Sequence, residues 1–222
     1  ELKAKYPHLA SLTALKLSAA DAASLAAKAS SQFAIAQYSA AGKLVQVTSL
    51  QASGMLDAVF AAAAADAKLG ATFNAAGVPT FRVWAPTAKS VSLNVYADAA
   101  STTASSVAMS KDAASGVWHY SAPDARWTNR AYYTYTVKVL SRWAGNQLVS
   151  NEVTDPYSLS LNANGQRSFV ANLDSPLLKP AGWDDQRIPR LDSATDIALY
   201  ELQVRDFSAS DTRVARSILE KY

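Results

Sequence analysis

Between Phe81 and Val170, apolar side chains return at every second position in short runs, most of them ended by a turn holding Pro, Gly or Asn. Phe81, Val83 and Ala85 alternate with Arg82 and Trp84 until Pro86-Thr87 intervenes. Val91, Leu93 and Val95 then alternate with Ser92, Asn94 and Tyr96. After a polar Ser/Thr/Ala stretch, Ser115-Gly116 precedes Val117 to Tyr120. Tyr133, Tyr135, Val137 and Val139 alternate with Thr134, Thr136 and Lys138, and Ala144-Gly145-Asn146 turns the chain into Leu148 to Val153. Asp155-Pro156-Tyr157 and Asn162 to Gly165 lead on to Phe169 and Val170. Successive side chains of a strand point to opposite faces, so this pattern asks for one covered face and one wet one. Short strands of this kind at regular spacing predict an antiparallel β-sandwich, a fold of about 100 residues.

The flanks differ in texture. Residues 1–70 are rich in alanine, and Leu12, Ala14 and Leu17 read as a strand after the turn at Tyr6-Pro7-His8. Phe33 to Tyr38 and Leu44 to Val47, joined across Gly42, predict a hairpin. Leu56, Val59, Phe60 and Ala63 recur at spacings of three and four, which predicts an amphipathic helix over 53–68. Ser53 is its expected N-cap and Gly70 its C-terminal stop. Beyond the sandwich, a loop with three prolines (176–193) leads to Ile197-Ala198-Leu199-Tyr200-Glu201-Leu202-Gln203-Val204. Such a nearly unbroken apolar run predicts a strand buried on both faces, as in parallel α/β sheets. One such strand cannot satisfy its own hydrogen bonds, so the sequence reads as cut off after it, with the strand left to dock on the sandwich or pair with another copy.

Composition removes several function classes. The longest apolar run, Ala58 to Ala65, is far short of the roughly 20 residues a membrane-spanning helix needs. Five Trp, ten Tyr and six Phe give a core to bury, which disordered chains lack. Zero cysteine excludes disulfide scaffolds, thiolate zinc sites and thiol nucleophiles. The net charge of +3 comes from basic residues scattered singly, without the stripe that a nucleic-acid binder concentrates. The first residue is Glu1, with no charged-then-apolar leader, so the chain reads as a processed product or a cut piece.

Catalytic constellations are scarce. His8 sits in a turn, and His119, between Trp118 and Tyr120, reads as a sheet-surface residue. No glycine-rich phosphate loop is present. Asp184-Asp185 lie side by side in a loop, whereas a retaining glycosidase needs two carboxyls held about 5–5.5 Å apart on a rigid frame. Aromatics offer more. A sugar ring has apolar C–H faces and a rim of hydroxyls, so it stacks on an open indole flanked by amides. Trp143 with Asn146 and Gln147, Trp118 with His119, and Trp127 with Asn129 are the candidates. Each has a second reading, as filling for the sandwich core or its rim. Trp84, two residues before Pro86, reads as core or a structural corner.

Phe81-Arg82-Val83-Trp84-Ala85-Pro86-Thr87-Ala88 followed by Val91 to Tyr96 resembles the opening of the N-terminal β-sandwich of starch-debranching enzymes, a module of carbohydrate-binding family 48. Glu152 to Ser158 resembles its closing segment, and Leu177 to Trp183 the linker that follows. Leu199 to Ser208 is similar to the first barrel strand of pullulanase-type family 13 glycoside hydrolases, and Tyr6 to Leu17 to the end of the β domain before the module. Asp206-Phe207-Ser208 and Tyr6-Pro7-His8-Leu9 narrow the likeness to pullulanase or limit dextrinase.

The resemblance implies a mainly β chain: an immunoglobulin-like antiparallel β-sandwich (71–175), preceded by a partial β domain with one helix (1–70). A linker (176–195) and the first strand of a truncated (β/α)8 barrel with an atypical tail (196–222) would follow. A whole barrel takes about 250 residues, so the catalytic carboxylates are expected on later strands and none here. The implied function is the non-catalytic front of an enzyme that hydrolyses α-1,6-glucosidic linkages in pullulan, amylopectin and limit dextrins. Its partners would be an α-glucan (starch, glycogen or pullulan) and the catalytic barrel, with no nucleic acid and no membrane span. No cofactor is expected, although the resemblance allows calcium in full-length relatives, and the implied location is extracellular or periplasmic. Glycogen-binding members carry a loop Trp after an Asn pair, but residues 97–106 hold no aromatic. The expected sugar contacts are those read from the residues themselves, Trp143, Asn146, Trp118 and Trp127. A free-standing α-glucan-binding module and a purely structural sandwich are the competing readings.

Overall fold

The alternation becomes two facing sheets in the computed structural model, which describes residues 2–11, 18, 20–21, 24–50, 52–124, 127, 131–203, 207 and 211–215. Two compact units divide the chain, residues 1–178 and 179–222.

In the first unit one sheet has the order β3 (Gly70–Phe73), β4 (Pro79–Trp84), β8 (Val117–Ser121), β7 (Ser110–Lys111). The other runs β10 (Gln147–Val153), β9 (Tyr132–Ser141), β5 (Ser90–Tyr96), β6 (Ser105–Ala108), with β11 (Ser168–Phe169) also on β9. Every pairing is antiparallel. The register places Leu93 opposite Tyr135 and Val91 opposite Val137, so one face of β5 and β9 turns inward together. Phe81, Val83, Val91, Leu93, Met109, Trp118, Tyr133, Tyr135 and Val170 form the core between the sheets. The Phe81 ring meets Tyr133 edge to face at 4.9 Å. Strands β6 and β7 lie in the stretch the sequence presents only as polar. Ser105-Ser106-Val107-Ala108 has too little apolar contrast to show a period, and it forms a strand by pairing with β5.

A polar clamp closes the sandwich. Asp155, 3% exposed, accepts hydrogen bonds from the Tyr133 hydroxyl at 2.7 Å, the Tyr135 hydroxyl at 3.2 Å and the Tyr157 amide at 2.9 Å. Its own amide donates to Ser168 Oγ at 2.9 Å, and Ser168 is bonded to Ser158 through their hydroxyls. The segment after β10 is thereby tied to the inner face of β9. Burial raises the Asp155 carboxyl above its ordinary pKa, and the three donors oppose that rise.

The Trp-Ala-Pro motif makes a corner. The Trp84 indole donates to the Ser115 carbonyl at 2.9 Å and the Trp118 indole to the Ala85 carbonyl at 2.9 Å. Lys111 Nζ donates to the Pro86 carbonyl at 2.7 Å. Gly116 sits against this corner at φ +72, where an added Cβ would meet Pro86 Cβ at 2.7 Å and Phe60 Cδ1 at 3.4 Å. Only glycine suits that place.

Upstream, α1 (Leu2–Lys5), a 3-10 turn at Pro7–Leu9 and α2 (Leu25–Lys28) are short. The strand expected at Leu12 to Leu17 lies outside the described residues. The hairpin forms as β1 (Ala34–Tyr38) and β2 (Leu44–Ser49), a separate two-stranded sheet. The helix departs from its predicted form. It comprises α3 (Ser53–Leu56), a π turn (Asp57–Ala61) and α4 (Ala62–Ala64), with Ala52 rather than Ser53 at the N-cap. The π turn inserts one residue into the period, so the inward stripe runs through Leu56, Val59, Phe60, Ala64 and Ala67 and leaves Ala63 exposed. Gly70 does not stop the helix; at φ +84 it opens β3, close to the Tyr157 carbonyl.

In the second unit, Ser193 and Asp196 form a capping box on the 3-10 turn Ala194–Asp196. The buried strand expected over Ile197 to Val204 is not formed in the described part, residues 197–203. Leu199 is 91% and Tyr200 77% exposed. A strand needs neighbours for its backbone N–H and C=O groups, and no described residue of this unit is in a strand to provide them. Val204 to Asp206, and Ser208, lie outside the described residues.

Candidate functional site

The β9–β10 hairpin pairs Ser141 with Gln147 and leaves five residues, 142–146, to make the turn. Gly145 (φ 66) and Asn146 (φ 62) are both left-handed there, which glycine and asparagine tolerate best. Asn146 thus shapes the turn, and it does not line the groove beside it. The result presents Trp143 outward, 92% exposed.

The residue beside the platform is anchored. The Arg142 guanidinium lies over the Trp143 ring at 5.4 Å, and Arg142 Nη1 donates to Ser49 Oγ at 2.5 Å. That bond ties the turn to the end of β2. Beside the indole is an open groove of about 530 Å³. Val139 and Val149, a cross-strand pair, give it an apolar surface, while Gln32, Ser141 and Asn151 supply amides and a hydroxyl. Among the described residues this arrangement has an open aromatic face next to polar groups, which suits a ring with apolar faces and a hydroxyl rim.

The other indoles are placed differently. Trp118, expected as a sugar contact, is 7% exposed within the core, with its N–H used by Ala85 and Lys111 Nζ at 5.8 Å from its ring. Its position at the corner, where Val117 and Trp118 are both buried, removes both ring faces from solvent. Trp127 packs on the core and tilts against Tyr120 at 5.5 Å, and its neighbour Asn129 lies outside the described residues. His119 is exposed on the sheet opposite Arg82.

A second polar cluster went unseen in the sequence. On the outer face of the larger sheet, Asn94 Nδ2 donates to Thr136 Oγ1 at 2.8 Å, and Thr134 Oγ1 donates to Glu152 Oε1 at 2.6 Å. Tyr96 donates to the same Glu152 oxygen. Arg167 lies 3.7 Å over the Tyr96 ring and donates to the carbonyls of Asp98, Ala99 and Ser101. The hydrogen bond from Thr134, then that from Tyr96, lowers the Glu152 pKa; burial, then the Glu152 bond, raises that of Tyr96. The alternation signals which residues share this face, but not that their polar atoms are consumed by one another.

The carboxylates do not converge. Glu152 bonds Thr134 on the outer face of β9, whereas Asp155 bonds Tyr133 and Tyr135 on the inner face, so the sheet stands between them. Asp184 pairs with Lys179 at 2.9 Å on the surface of the second unit. Among the described residues no group of three or more His, Asp or Glu is set to hold a metal, and no helix is long and apolar enough to cross a membrane.

Known proteins resemble the chain in both parts of the first unit. Residues 68–158 match Carbohydrate-binding module 48 (Isoamylase N-terminal domain), and residues 1–58 match the Pullulanase N2 domain. Pullulanase 1, chloroplastic, of Arabidopsis thaliana is 40% identical over 186 residues, covering 83% of this chain and 18% of the relative. A pullulanase of Klebsiella pneumoniae is 34% identical over 226 residues, covering 100% of this chain and 20% of the relative. The crystal structure of Klebsiella pneumoniae pullulanase complexed with maltotriose superposes with a TM-score of 0.75 at 34% identity, covering 86% of this chain and 17% of that one. The chain spans about a fifth of the length of these curated relatives.

Proposed function

Since this chain belongs to the pullulanases, through its N2 domain and its carbohydrate-binding module 48, we propose that it works as the front of an enzyme hydrolysing α-1,6-glucosidic linkages in pullulan, amylopectin and limit dextrins. The chain is a non-catalytic, N-terminal part of such a debranching enzyme. The observation that carries the proposal is the order of the two matches, N2 domain and then module, along one continuous unit of structure. The division into a partial β domain (1–70), a sandwich module (71–175), a linker (176–195) and the start of a catalytic barrel (196–222) is part of this reading. So is an extracellular or periplasmic location, which fractionation of the source cells checks.

The module's task in this reading is to hold an α-glucan while the catalytic barrel, a partner in the same longer protein, acts on a branch. The structure of a relative with maltotriose supports an α-glucan as the ligand class. The separation of Glu152 from Asp155 by the sheet supports assigning hydrolysis elsewhere. The test is pullulan digestion followed by release of reducing ends. The 222-residue chain is expected to release none, and the longer protein to cleave α-1,6 linkages with retention of configuration. Turnover by residues 1–222 alone overturns the assignment.

A further inference from the structure

We propose that the groove beside the β9–β10 turn is an α-glucan subsite shared by the N-terminal segment and the sandwich, with Trp143 as its stacking platform. The proposal rests on the reading of the chain as part of an α-glucan-acting protein, and it names where the sugar binds.

Three observations converge on the groove. The first is exposure: at 92%, Trp143 leaves a large apolar surface in water, although Trp84 and Trp118 in the same unit both find partners. A sugar ring stacked on the open face of the indole removes that surface from water.

The second is preorganisation. The tip of a hairpin is ordinarily mobile, and stacking on it loses affinity to ordering. Here Arg142 stands 5.4 Å from the centre of the indole and is itself hydrogen-bonded to Ser49, so the base of the platform is tied to β2 before any ligand arrives. A guanidinium carries five N–H donors. With Nη1 directed to Ser49, the others can serve ring hydroxyls.

The third is the lining. Val139 and Val149 offer C–H contact, while Gln32, Ser141 and Asn151 offer both donors and acceptors. A hydroxyl both donates and accepts, so amides and hydroxyls match a sugar rim better than like-charged groups do. Gln32 precedes β1 and Ser49, at the end of β2, holds Arg142, whereas the remaining lining groups belong to β9, β10 and the turn between them. The subsite therefore exists only where the N-terminal hairpin and the sandwich meet.

The experiment titrates the 222-residue chain with maltohexaose and, separately, cellohexaose, following tryptophan fluorescence and calorimetric heat. Maltohexaose is expected to bind and the β-linked cellohexaose not to. Trp143→Ala is expected to weaken maltohexaose binding at least about tenfold, as loss of a central aromatic anchor does. Trp143→Phe restores part of it. Ser49→Ala and Gln32→Ala are each expected to weaken it about two- to fivefold, losses of the size of single hydrogen bonds. Trp183→Ala, at the exposed indole of the second unit, leaves it unchanged. Thermal unfolding by circular dichroism checks that the Trp143 variants keep the parent midpoint. Binding that survives Trp143→Ala overturns the site and leaves the α-glucan reading standing. Failure of the parent chain to bind maltohexaose overturns the site as well, while pullulan digestion by the longer protein judges the family reading separately. Equal loss with Trp183→Ala overturns it too.

Discussion

The hairpin β1–β2 and the sandwich strands β5–β9 share one secondary structure and differ in what covers it. Along β5 and β9 the inward side chains Val91, Leu93, Tyr133 and Tyr135 are all buried. Along the hairpin every residue is exposed, including Tyr38 at 61% and Val47 at 55%. Both regions have backbone ladders, so hydrogen bonding does not separate them. What separates them is a second layer. A sheet gains hydrophobic stabilisation only through a face covered by another element, and a two-stranded ribbon without one is marginal by itself.

The largest expected effect attacks the covered side. Phe81→Ala removes a ring with 0% exposure from between the sheets and is expected to cost about 3–5 kcal/mol. Urea unfolding followed by near-ultraviolet circular dichroism measures it, and a loss below about 1 kcal/mol would mean that the two layers are not held by this core.

Next comes the clamp. Asp155→Ala leaves the buried hydroxyls of Tyr133 and Tyr135 without their acceptor, at an expected cost of about 2–3 kcal/mol. The same carboxyl carries a pH signature. Its folded pKa is raised, so the folded state holds that proton more tightly than the unfolded chain does. Its contribution therefore becomes more favourable as pH falls through the raised folded value, and less favourable as pH rises. Asp112, whose folded pKa is lowered chiefly by its Ser115 hydrogen bond, works the other way and loses stability on acidification. Asp155→Asn should flatten the first trend, seen as the wild-type minus variant difference in unfolding free energy across pH. A difference that does not change with pH contradicts the clamp's assignment.

Gly116→Ala is expected to cost about 1–3 kcal/mol, because the residue is left-handed and its Cβ would press on Pro86. Smallest is Tyr38→Ala on the hairpin, expected within about 0.5 kcal/mol because that ring is largely in water. If Tyr38→Ala instead destabilises as much as Gly116→Ala, a covering layer lies on the hairpin and the contrast between the regions fails.

The contrast also explains what could be read from the amino-acid order. Strands β4, β5 and β9 were legible because a covered face forces alternation, and Phe81, Leu93 and Tyr135 obey it. Strands β6 and β7 were not, since each is the edge of a different sheet and, Met109 between them apart, Ser105 to Lys111 have little to bury. The run at Ile197 looked like a buried strand because apolarity records what a segment prefers to touch, while strand formation also needs neighbours. Tryptophan identity was uninformative for the site: Trp118 and Trp143 have the same chemistry, and only strand face against turn tip decides which is open. The turn was readable from Ala144-Gly145-Asn146; the Ser49 anchor, 93 residues from Arg142, was not.

The widened turn at Asp57–Ala61 has a bearing on how relatives diverge. One surplus residue there rotates everything after it by about 100° around the helix axis. Removing a single alanine from Ala61 to Ala65 would leave the composition almost untouched and let a plain α-helix replace the widened turn with Ala64 and Ala67 still on the side that Phe60 fixes against Gly116, whereas one alanine more would carry them off it. Length in this alanine tract is thus a phase setting for the entry into the sandwich, and variants there should be judged by residue count before residue type.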